Sequence, residues 1–168
     1  MARIFNGRYT ADIEGDFVVL LIGMRITKIW KIHKWLPLFQ AMPRMLKSLR
    51  ADPAGGLLGA TLAFIGGPAV VQYWKSFEDL DRFARDPSAP HLDAWRQFNR
   101  AIGSSGDVGV WHETYRVTAG AYECIYVNMP RFGLATAGRH APVHTKGHSA
   151  ARRIGASAND QVAVEYPG

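Results

Sequence analysis

The chain has 168 residues, of which 48% are hydrophobic and 20% charged, and its formal net charge at pH 7 is +6. This length suits one domain with its own core, and the composition excludes a wholly disordered chain. The single cysteine, Cys124, excludes an internal disulfide framework, which makes a reducing cytoplasm the expected compartment. No secretory signal is visible and the apolar run Phe17–Gly23 is too short to cross a bilayer, so we expect no stable membrane insertion.

Positive charge is concentrated in the first third of the chain. Between Phe17 and Ala51 there is no acidic residue, while the basic residues are Arg25, Lys28, Lys31, Lys34, Arg44, Lys47 and Arg50. Such a run could meet nucleic acid, anionic lipid or an acidic ligand, or form a solvated basic face. We favour the solvated face and expect no nucleic-acid partner.

The first part of the chain predicts a strand followed by a helix. Residues 1–13 show no periodicity, and we expect an irregular lead-in there. The β-branched apolar run Phe17–Ile26 is typical of a buried strand. Apolar residues then recur at helical spacing over Trp35–Arg50, and Pro43 inside this segment is expected to kink or split the helix.

The middle of the chain predicts a hairpin and a second helix. Strands at Leu57–Ile65 and Ala69–Lys75 are separated by Gly66-Gly67-Pro68, so they should pair in antiparallel fashion. Ser76 begins a capping box that opens a helix ending at Arg85.

The last predicted elements complete a βαββαβ order. A further helix is expected from Ser88 to Gly103, then a strand at Asp107–Val117 and an added strand at Ala121–Met129. We therefore predict an α+β, ferredoxin-like domain over residues 1–138, followed by a basic, extended or poorly ordered tail over 139–168. Its open antiparallel sheet would have one bare face, and a second copy of the chain is the simplest cover, which predicts a homodimer.

Two histidines are the main candidates for chemistry. On the helix that begins at Ser88, His91, Trp95 and Phe98 would lie on one stripe. A histidine leading an aromatic stripe could be an axial ligand to haem iron, or only a packed residue at a helix start.

His112 is predicted to lie on a strand face with Val108, Val110 and Thr114, whereas Glu113 should point to the other face. It could be a core histidine, or an acid or base acting near neutral pH. His91 and His112 together could lie on opposite sides of a bound planar group.

The remaining features are weaker candidates. His140, His144 and His148 are four residues apart, a metal-binding spacing only on a helix, which the nearby glycine and proline residues oppose. Cys124 is expected to be a packing residue. The sequence has no P-loop, GxGxxG motif or nucleophile elbow.

Five segments of the chain carry a resemblance to a known family: WLPLFQAMPRML, VQYWKSFEDLDRFARD, PHLDAWRQFNR, VGVWHETY and YECIYVNMPRFGLA. Through these segments, residues 16–137 resemble the fumagillin-pathway-type monooxygenase family. This resemblance implies the dimeric α+β barrel fold, in agreement with the predicted order of elements.

The chain is more distantly similar to aldoxime dehydratases and spheroidene-type monooxygenases, which are haem proteins. Aldoxime dehydratases have a proline-led histidine on a helix and a second histidine followed by Glu on the next strand. By this likeness, His91 in Pro90-His91-Leu92 would be the proximal iron ligand and His112 in Trp111-His112-Glu113 the distal acid or base. The aldoxime dehydratases' other distal polar residues have no counterpart that can be placed in this shorter chain.

The sequence therefore predicts a haem-dependent monooxygenase that acts on a small or medium hydrophobic substrate. Haem b would be bound non-covalently, since no CxxCH is present, with His91 as iron ligand, His112 as acid or base, and Trp95, Phe98 and Trp111 as cofactor contacts. Tyr115 is a further candidate pocket aromatic, and the basic run could meet the haem propionates. The alternatives are a cofactor-independent monooxygenase of the same fold, an aldoxime dehydratase-like lyase, or a non-catalytic carrier of haem or a hydrophobic ligand.

Overall fold

The computed structural model describes residues 2–86, 96, 100 and 105–155. Its strands are β1 (Phe5–Asp12), β2 (Phe17–Ile26), β3 (Leu57–Phe64), β4 (Pro68–Trp74), β5 (Val108–Val117), β6 (Tyr126–Met129) and β7 (Arg139–Pro142). Its α-helices are α1 (Ile32–Ala51), α2 (Phe77–Arg85) and the short α3 (Ala150–Arg153), and 3-10 turns lie at Pro53–Gly55, Gly133–Thr136 and Val143–Thr145. The predicted helix from Ser88 to Gly103 falls largely outside the described residues.

Four strands form an antiparallel sheet in the order β3-β4-β2-β5. The first and third strands of the βαββαβ unit are central and the second and fourth are at the edges, which is the ferredoxin-like arrangement. The predicted α+β, ferredoxin-like fold is confirmed. Strand β2 has the predicted bounds, β3 and β5 differ from theirs by one residue at one end, and β4 differs by one residue at each end.

Helix α1 is longer than predicted and continuous through Pro37 and Pro43, so the predicted split is absent. Pro43 lacks the N–H that would donate to the carbonyl of Phe39, which costs the helix one hydrogen bond. The C-terminal half of α1 is held instead by packing, because Met45 and Leu49 are buried against the sheet.

Helix α2 begins as the capping box predicts. The Ser76 hydroxyl accepts a hydrogen bond from the backbone N–H of Asp79 at 3.1 Å. Leu80 and Phe83 then pack with α1 against one face of the sheet, where Val70 and the fully buried Trp74 lie. The two described helices of the ferredoxin-like unit thus cover the same sheet face.

A second, three-stranded sheet has the order β6-β1-β7. The expected irregular lead-in is wrong, because residues 5–12 form β1, the central strand of this sheet. Of the two expectations for the tail, extended or poorly ordered, the second does not hold for residues 139–155, since β7 pairs with β1 and Val143 is buried. Whether residues 1–138 form a domain by themselves stays a prediction.

This second sheet packs on the other face of the four-stranded sheet. Ala11, Tyr126 and Leu134 are buried there together with Phe17 of β2, and Tyr73 packs against them. The chain therefore covers part of the face that the sequence left bare, and the homodimer stays a prediction. Strand β6 is shorter than the predicted Ala121–Met129.

Cys124 precedes β6 and lies between the two sheets. Its sulfur accepts a hydrogen bond from the backbone N–H of Ala11 at 3.2 Å, and its carbonyl accepts one from the Thr10 hydroxyl at 2.9 Å. It is packed among the apolar residues of this second core, which confirms the expectation of a packing role.

The carboxylate of Asp107 forms salt bridges with three lysines of the basic run. Its carboxylate is 1% exposed, and the Nζ atoms of Lys28, Lys31 and Lys34 lie 3.1, 2.7 and 2.6 Å from its oxygens. Its carbonyl also accepts from the backbone N–H groups of Thr27 and Lys28. The hydrogen bonds from Lys31 and Lys34 hold the pKa of the Asp107 carboxyl below its ordinary value. This lysine clamp ties the start of α1 to the start of β5, so a merely solvated basic face does not describe these lysines.

The described helices include none that is both long and apolar enough to cross a membrane.

Candidate functional site

A cavity of about 430 Å³ lies between the four-stranded sheet and helices α1 and α2. This volume falls in the range of small-molecule sites. The sheet contributes Leu20, Ile22, Gly23, Met24, Leu62, Pro68, Ala69, Val70, Gln72, Val110 and His112, and the helices contribute Phe39, Ala41, Met42, Pro43, Met45, Leu80, Phe83 and Ala84. Gln72 and His112 are the two polar side chains in this described lining, so the cavity suits a largely apolar ligand.

The cavity lies between two packed regions of the sheet–helix interface. Toward the C-terminal end of α1, Met45 and Leu46 belong to the main core. Toward its N-terminal end, Trp35 packs on Met24 and Val108. The segment of α1 between these anchors, which includes Pro43, forms one wall of the cavity.

Strand register places His112 on the cavity side of the sheet. His112 pairs with Ile22, Ile22 pairs with Val70, and Val70 pairs with Leu62, so these four residues form one row across the sheet. All four line the cavity. The prediction that His112 faces the same side as Val110 is confirmed, because paired and alternate strand residues share a face.

The His112 side chain is accessible to a ligand. It lies on the edge strand β5 and is exposed, although its neighbours in the cavity wall are apolar. Within residues 2–86 and 105–155, no hydrogen bond to the imidazole is present. As far as these residues go, its two ring nitrogens can contact a ligand or water, as an acid or base requires.

Gln72 is the second polar side chain of the cavity, and sequence reasoning missed it. It is 1% exposed and pairs with Leu20 in the row next to that of His112. Its Oε1 accepts a hydrogen bond from Nε1 of the fully buried Trp74 at 2.9 Å. A signal was present, because a lone glutamine in the apolar strand AVVQYW interrupts a buried run.

Trp111 and Tyr115 lie on the other face of the sheet. Trp111 pairs with Gly23, and a Cβ added to Gly23 would lie 2.8 Å from the Trp111 ring. Tyr115 is half-exposed and donates to the carboxylate of Glu113, which is on this second face as predicted. The structure thus does not bring these aromatics together with His112, and a cofactor contact by Trp111 stays a prediction.

His91, Trp95 and Phe98 lie outside the described residues. The structure therefore does not test whether His91 faces His112, and the predicted roles of all three stay predictions.

The described lining of the cavity does not by itself fit haem. Haem needs an imidazole for its iron, which His112 offers, and partners for its propionates. Within the described residues no Lys or Arg side chain lines the cavity. Part of the basic run is committed elsewhere, because the lysine clamp holds Asp107 and Arg25 donates to the carbonyl of Gly66 at 2.9 Å.

The C-terminal histidines do not form a metal site. Over the described ranges, no group of three or more His, Cys, Asp or Glu side chains is placed to hold a metal ion. His140 lies on β7 and stacks on Tyr9, with ring centroids 4.6 Å apart, and its edge contacts Phe5. Its buried Nε2 has no hydrogen-bond partner in this part of the structure. Burial, followed by the charge of Arg131, lowers the pKa of His140.

Two solved structures are similar to this chain at low sequence identity. The crystal structure of aldoxime dehydratase (OxdRE) in complex with butyraldoxime matches with a TM-score of 0.59 and 19% identity, over 82% of this chain and 43% of that one. SnoaB, a cofactor-independent oxygenase from Streptomyces nogalater, matches with a TM-score of 0.42 and 14% identity, over 60% and 91% of the two chains. The match to aldoxime dehydratase supports the fold derived from the sheet order.

Sequence comparison identifies a family. A curated protein named monooxygenase af470, from Aspergillus fumigatus, is 34% identical over 64 residues. This match covers 38% of the chain but only 22% of the fungal protein, so the chain corresponds to a fraction of its relative's length. The family described as monooxygenase af470-like matches residues 17–134, which include the whole βαββαβ unit and confirm the resemblance stated from the sequence. The chain belongs to the monooxygenase af470-like family.

Proposed function

We propose that this protein is a monooxygenase that binds a hydrophobic substrate in the cavity, with His112 transferring a proton to or from the substrate. The observation that carries this proposal is the lining of the cavity, which among the described residues is apolar except for Gln72 and the accessible imidazole of His112. Membership of a monooxygenase family supplies the reaction class. The apolar lining of the cavity indicates that the substrate is hydrophobic.

The cavity favours a reaction in which the substrate itself provides the electrons. When a methylene group next to aromatic rings becomes a carbonyl group, O₂ contributes one oxygen atom to the product and the other leaves as water. This conversion balances without an outside reductant. It begins with loss of a C–H proton, which an imidazole beside the methylene carbon can accept. A hydrophobic substrate bound against the apolar walls would itself reduce the contact of bulk water with the carbanion that forms.

Haem-dependent monooxygenation is the second candidate. The predicted pairing of His91 as iron ligand with His112 as acid or base supports it, as does the shared fold with an aldoxime dehydratase. Haem would supply oxygen activation, and His112 would again hold or move a proton at the substrate. The absence of a cationic partner in the described lining favours the cofactor-independent version.

Oxygen uptake tests the proposed function. 9-Anthrone is a suitable probe, because it is a tricyclic ketone with an acidic methylene group, and its conversion to anthraquinone consumes one O₂ and releases one water. We expect the purified protein without added hemin to accelerate oxygen uptake above the protein-free rate. Acceleration only with hemin would overturn the cofactor-independent version, and ligand binding without any oxygen uptake would indicate a carrier.

Hemin titration distinguishes the cofactor-independent from the haem-dependent version of the proposed function without measuring turnover. Absorbance spectra would be recorded for the wild type, His91→Ala and His112→Ala. The cofactor-independent version predicts no stoichiometric Soret band that depends on either histidine. A band that His91→Ala abolishes and His112→Ala retains would establish haem with His91 as its ligand.

A further inference from the structure

Gln72 is a buried polar residue whose side-chain amide forms a hydrogen bond through its oxygen but, among the described residues, not through its nitrogen. Its side chain lines the cavity and is 1% exposed. One of its atoms, Oε1, is bonded to Trp74. In the part of the chain that the structure describes, no hydrogen bond from its Nε2 is present. An amide N–H group that faces an apolar cavity without an acceptor costs free energy, so a polar partner inside the cavity is expected.

Trp74 fixes which end of the amide is free. An indole N–H can only donate, so the Gln72 atom that it contacts at 2.9 Å must be the carbonyl oxygen. Trp74 is fully buried and its ring packs against Phe83 at a centroid distance of 5.4 Å, which leaves it little freedom to move. The amide is therefore held with its N–H donors available.

Gln72 and His112 are far enough apart to contact different parts of one ligand. They lie on β4 and β5, on either side of β2, in adjacent rows of the same sheet face. Strand spacing and rise place their Cα atoms roughly 12 Å apart. The body of a bicyclic or tricyclic molecule fits between two side chains at this separation.

We infer that Gln72 binds an acceptor oxygen of the substrate and thereby selects hydrophobic ring systems that carry a carbonyl or enolate oxygen. This inference rests on the proposed function, since it takes the cavity as the substrate site. Trp74 is a positioning residue that presents the Gln72 amide. With the oxygen bound at Gln72, the far end of the ring system lies toward His112. The donor also stabilises negative charge that develops on the oxygen when a proton leaves the ring system.

Two probes that differ by one oxygen test the inference. 9-Fluorenone and fluorene have the same fused rings, but the first carries a carbonyl group where the second carries a methylene group. Equilibrium dialysis would give the dissociation constant of each probe for the wild type and for Gln72→Leu. The useful quantity is the ratio of the fluorenone constant to the fluorene constant, because general damage to the cavity changes both constants alike.

We expect this ratio to rise about tenfold in Gln72→Leu, which corresponds to about 1.4 kcal/mol. The carbonyl stretching band of bound fluorenone should also lie at lower frequency in the wild type than in the variant, since a hydrogen bond weakens the C=O bond. A ratio that changes less than about twofold, with both probes bound, would overturn the role of Gln72 while leaving the cavity as a ligand site. Failure of both probes to bind the wild type would overturn the ligand site itself and with it this role.

Further variants distinguish the loss of the Gln72 donor from structural damage to the cavity. Gln72→Leu leaves the buried Trp74 N–H without an acceptor, so Gln72→Met provides a second test, because its thioether sulfur is a weak acceptor and its side chain carries no N–H or O–H donor. It should raise the ratio as well. Trp74→Phe frees the amide to turn and should raise the ratio by a smaller factor. A purely structural role of Trp74 would weaken both probes equally and leave the ratio unchanged.

Discussion

His112 and Gln72 show how far single residues can be interpreted from sequence. The alternation of polar and apolar residues in β5 predicts the face on which His112 lies, and the register confirms that face. Gln72 is not predictable as a site residue in the same way, because its role depends on Trp74, on the cavity and on the helices above it. These contacts come from packing between elements, which no local pattern encodes.

Replacing His112 by Gln should abolish most catalysis and preserve ligand binding. Glutamine has a similar volume and hydrogen-bonding capacity but does not exchange a proton near neutral pH. We expect the oxygen uptake driven by 9-anthrone to fall about 100-fold or more, as for loss of a general acid or base. The exposed His33 on α1 does not line the cavity, so His33→Gln is the matched control and should retain the wild-type rate. Equal rates for all three proteins would contradict a catalytic role of His112.

His140 should make stability depend on pH. Its folded-state pKa is lowered by burial and by Arg131, so the folded protein disfavours the protonated form, while Phe5, Tyr9 and Tyr126 surround the ring without opposing charge. The stabilisation is present above the ordinary pKa of 6.5 and is lost as the pH falls below it.

The variant His140→Phe keeps an aromatic ring and cannot be protonated. Its thermal midpoint relative to the wild type should therefore rise progressively as the pH is lowered from 7.5 to about 5.5. Differential scanning calorimetry over this range measures the effect. A difference between the two proteins that is independent of pH would contradict burial of a neutral His140.

At the scale of elements, helix α1 depends on both local and distant contacts. Its apolar spacing predicts its C-terminal half, and Met45 and Leu49 are buried as that spacing requires. Its start is not predictable from local sequence, since Lys31 and Lys34 are held by Asp107, more than 70 residues away. The same distant contact explains why Lys28, Lys31 and Lys34 are not part of a merely solvated basic face.

Removing the charge of Asp107 should loosen the start of α1. In Asp107→Asn the three lysines of the clamp repel one another around a neutral amide, so the thermal midpoint should fall at pH 7. Asp81→Asn is the control, because Asp81 forms an exposed pair with Arg85 on α2, and such pairs contribute little.

The pH dependence follows from the lowered pKa of Asp107. Its stabilising contribution is fully present above the unfolded value of 3.8 and is lost as the pH falls toward the lower folded value. The difference in thermal midpoint between the wild type and Asp107→Asn should be constant from about pH 7 to 5 and shrink below about pH 4. A difference that persists undiminished at lower pH would contradict the clamp.

At the scale of the whole molecule, the sequence predicts the βαββαβ unit well and the second sheet poorly. Each element of the unit has its own periodicity and flanking turns. The second sheet instead joins β1 near the N-terminus to β6 and β7, more than 100 residues later. Strands β6 and β7, of four residues each, have little periodicity of their own, and their pairing with β1 becomes evident only when the ends of the chain are brought together.

Deleting the chain after residue 138 should destabilise the fold. The deletion removes β7, exposes the edge of β1, and eliminates the burial of Val143, which contributes about 2 kcal/mol by itself. Compared with a chain that ends at Gly155, the thermal midpoint should fall by at least about 5 °C. Equal midpoints would show instead that residues 1–138 fold independently, as the sequence predicts.

The central claim is that the cavity between the sheet and helices α1 and α2 is the ligand site. Ala84 lines this cavity and is exposed on α2, so Ala84→Trp fills the space without displacing a buried residue. Ala51→Trp is the matched control, at an exposed helical position outside the cavity. Equilibrium dialysis with 9-fluorenone should show binding weakened about tenfold or more in Ala84→Trp and unchanged in Ala51→Trp. Wild-type affinity in Ala84→Trp would contradict the claim.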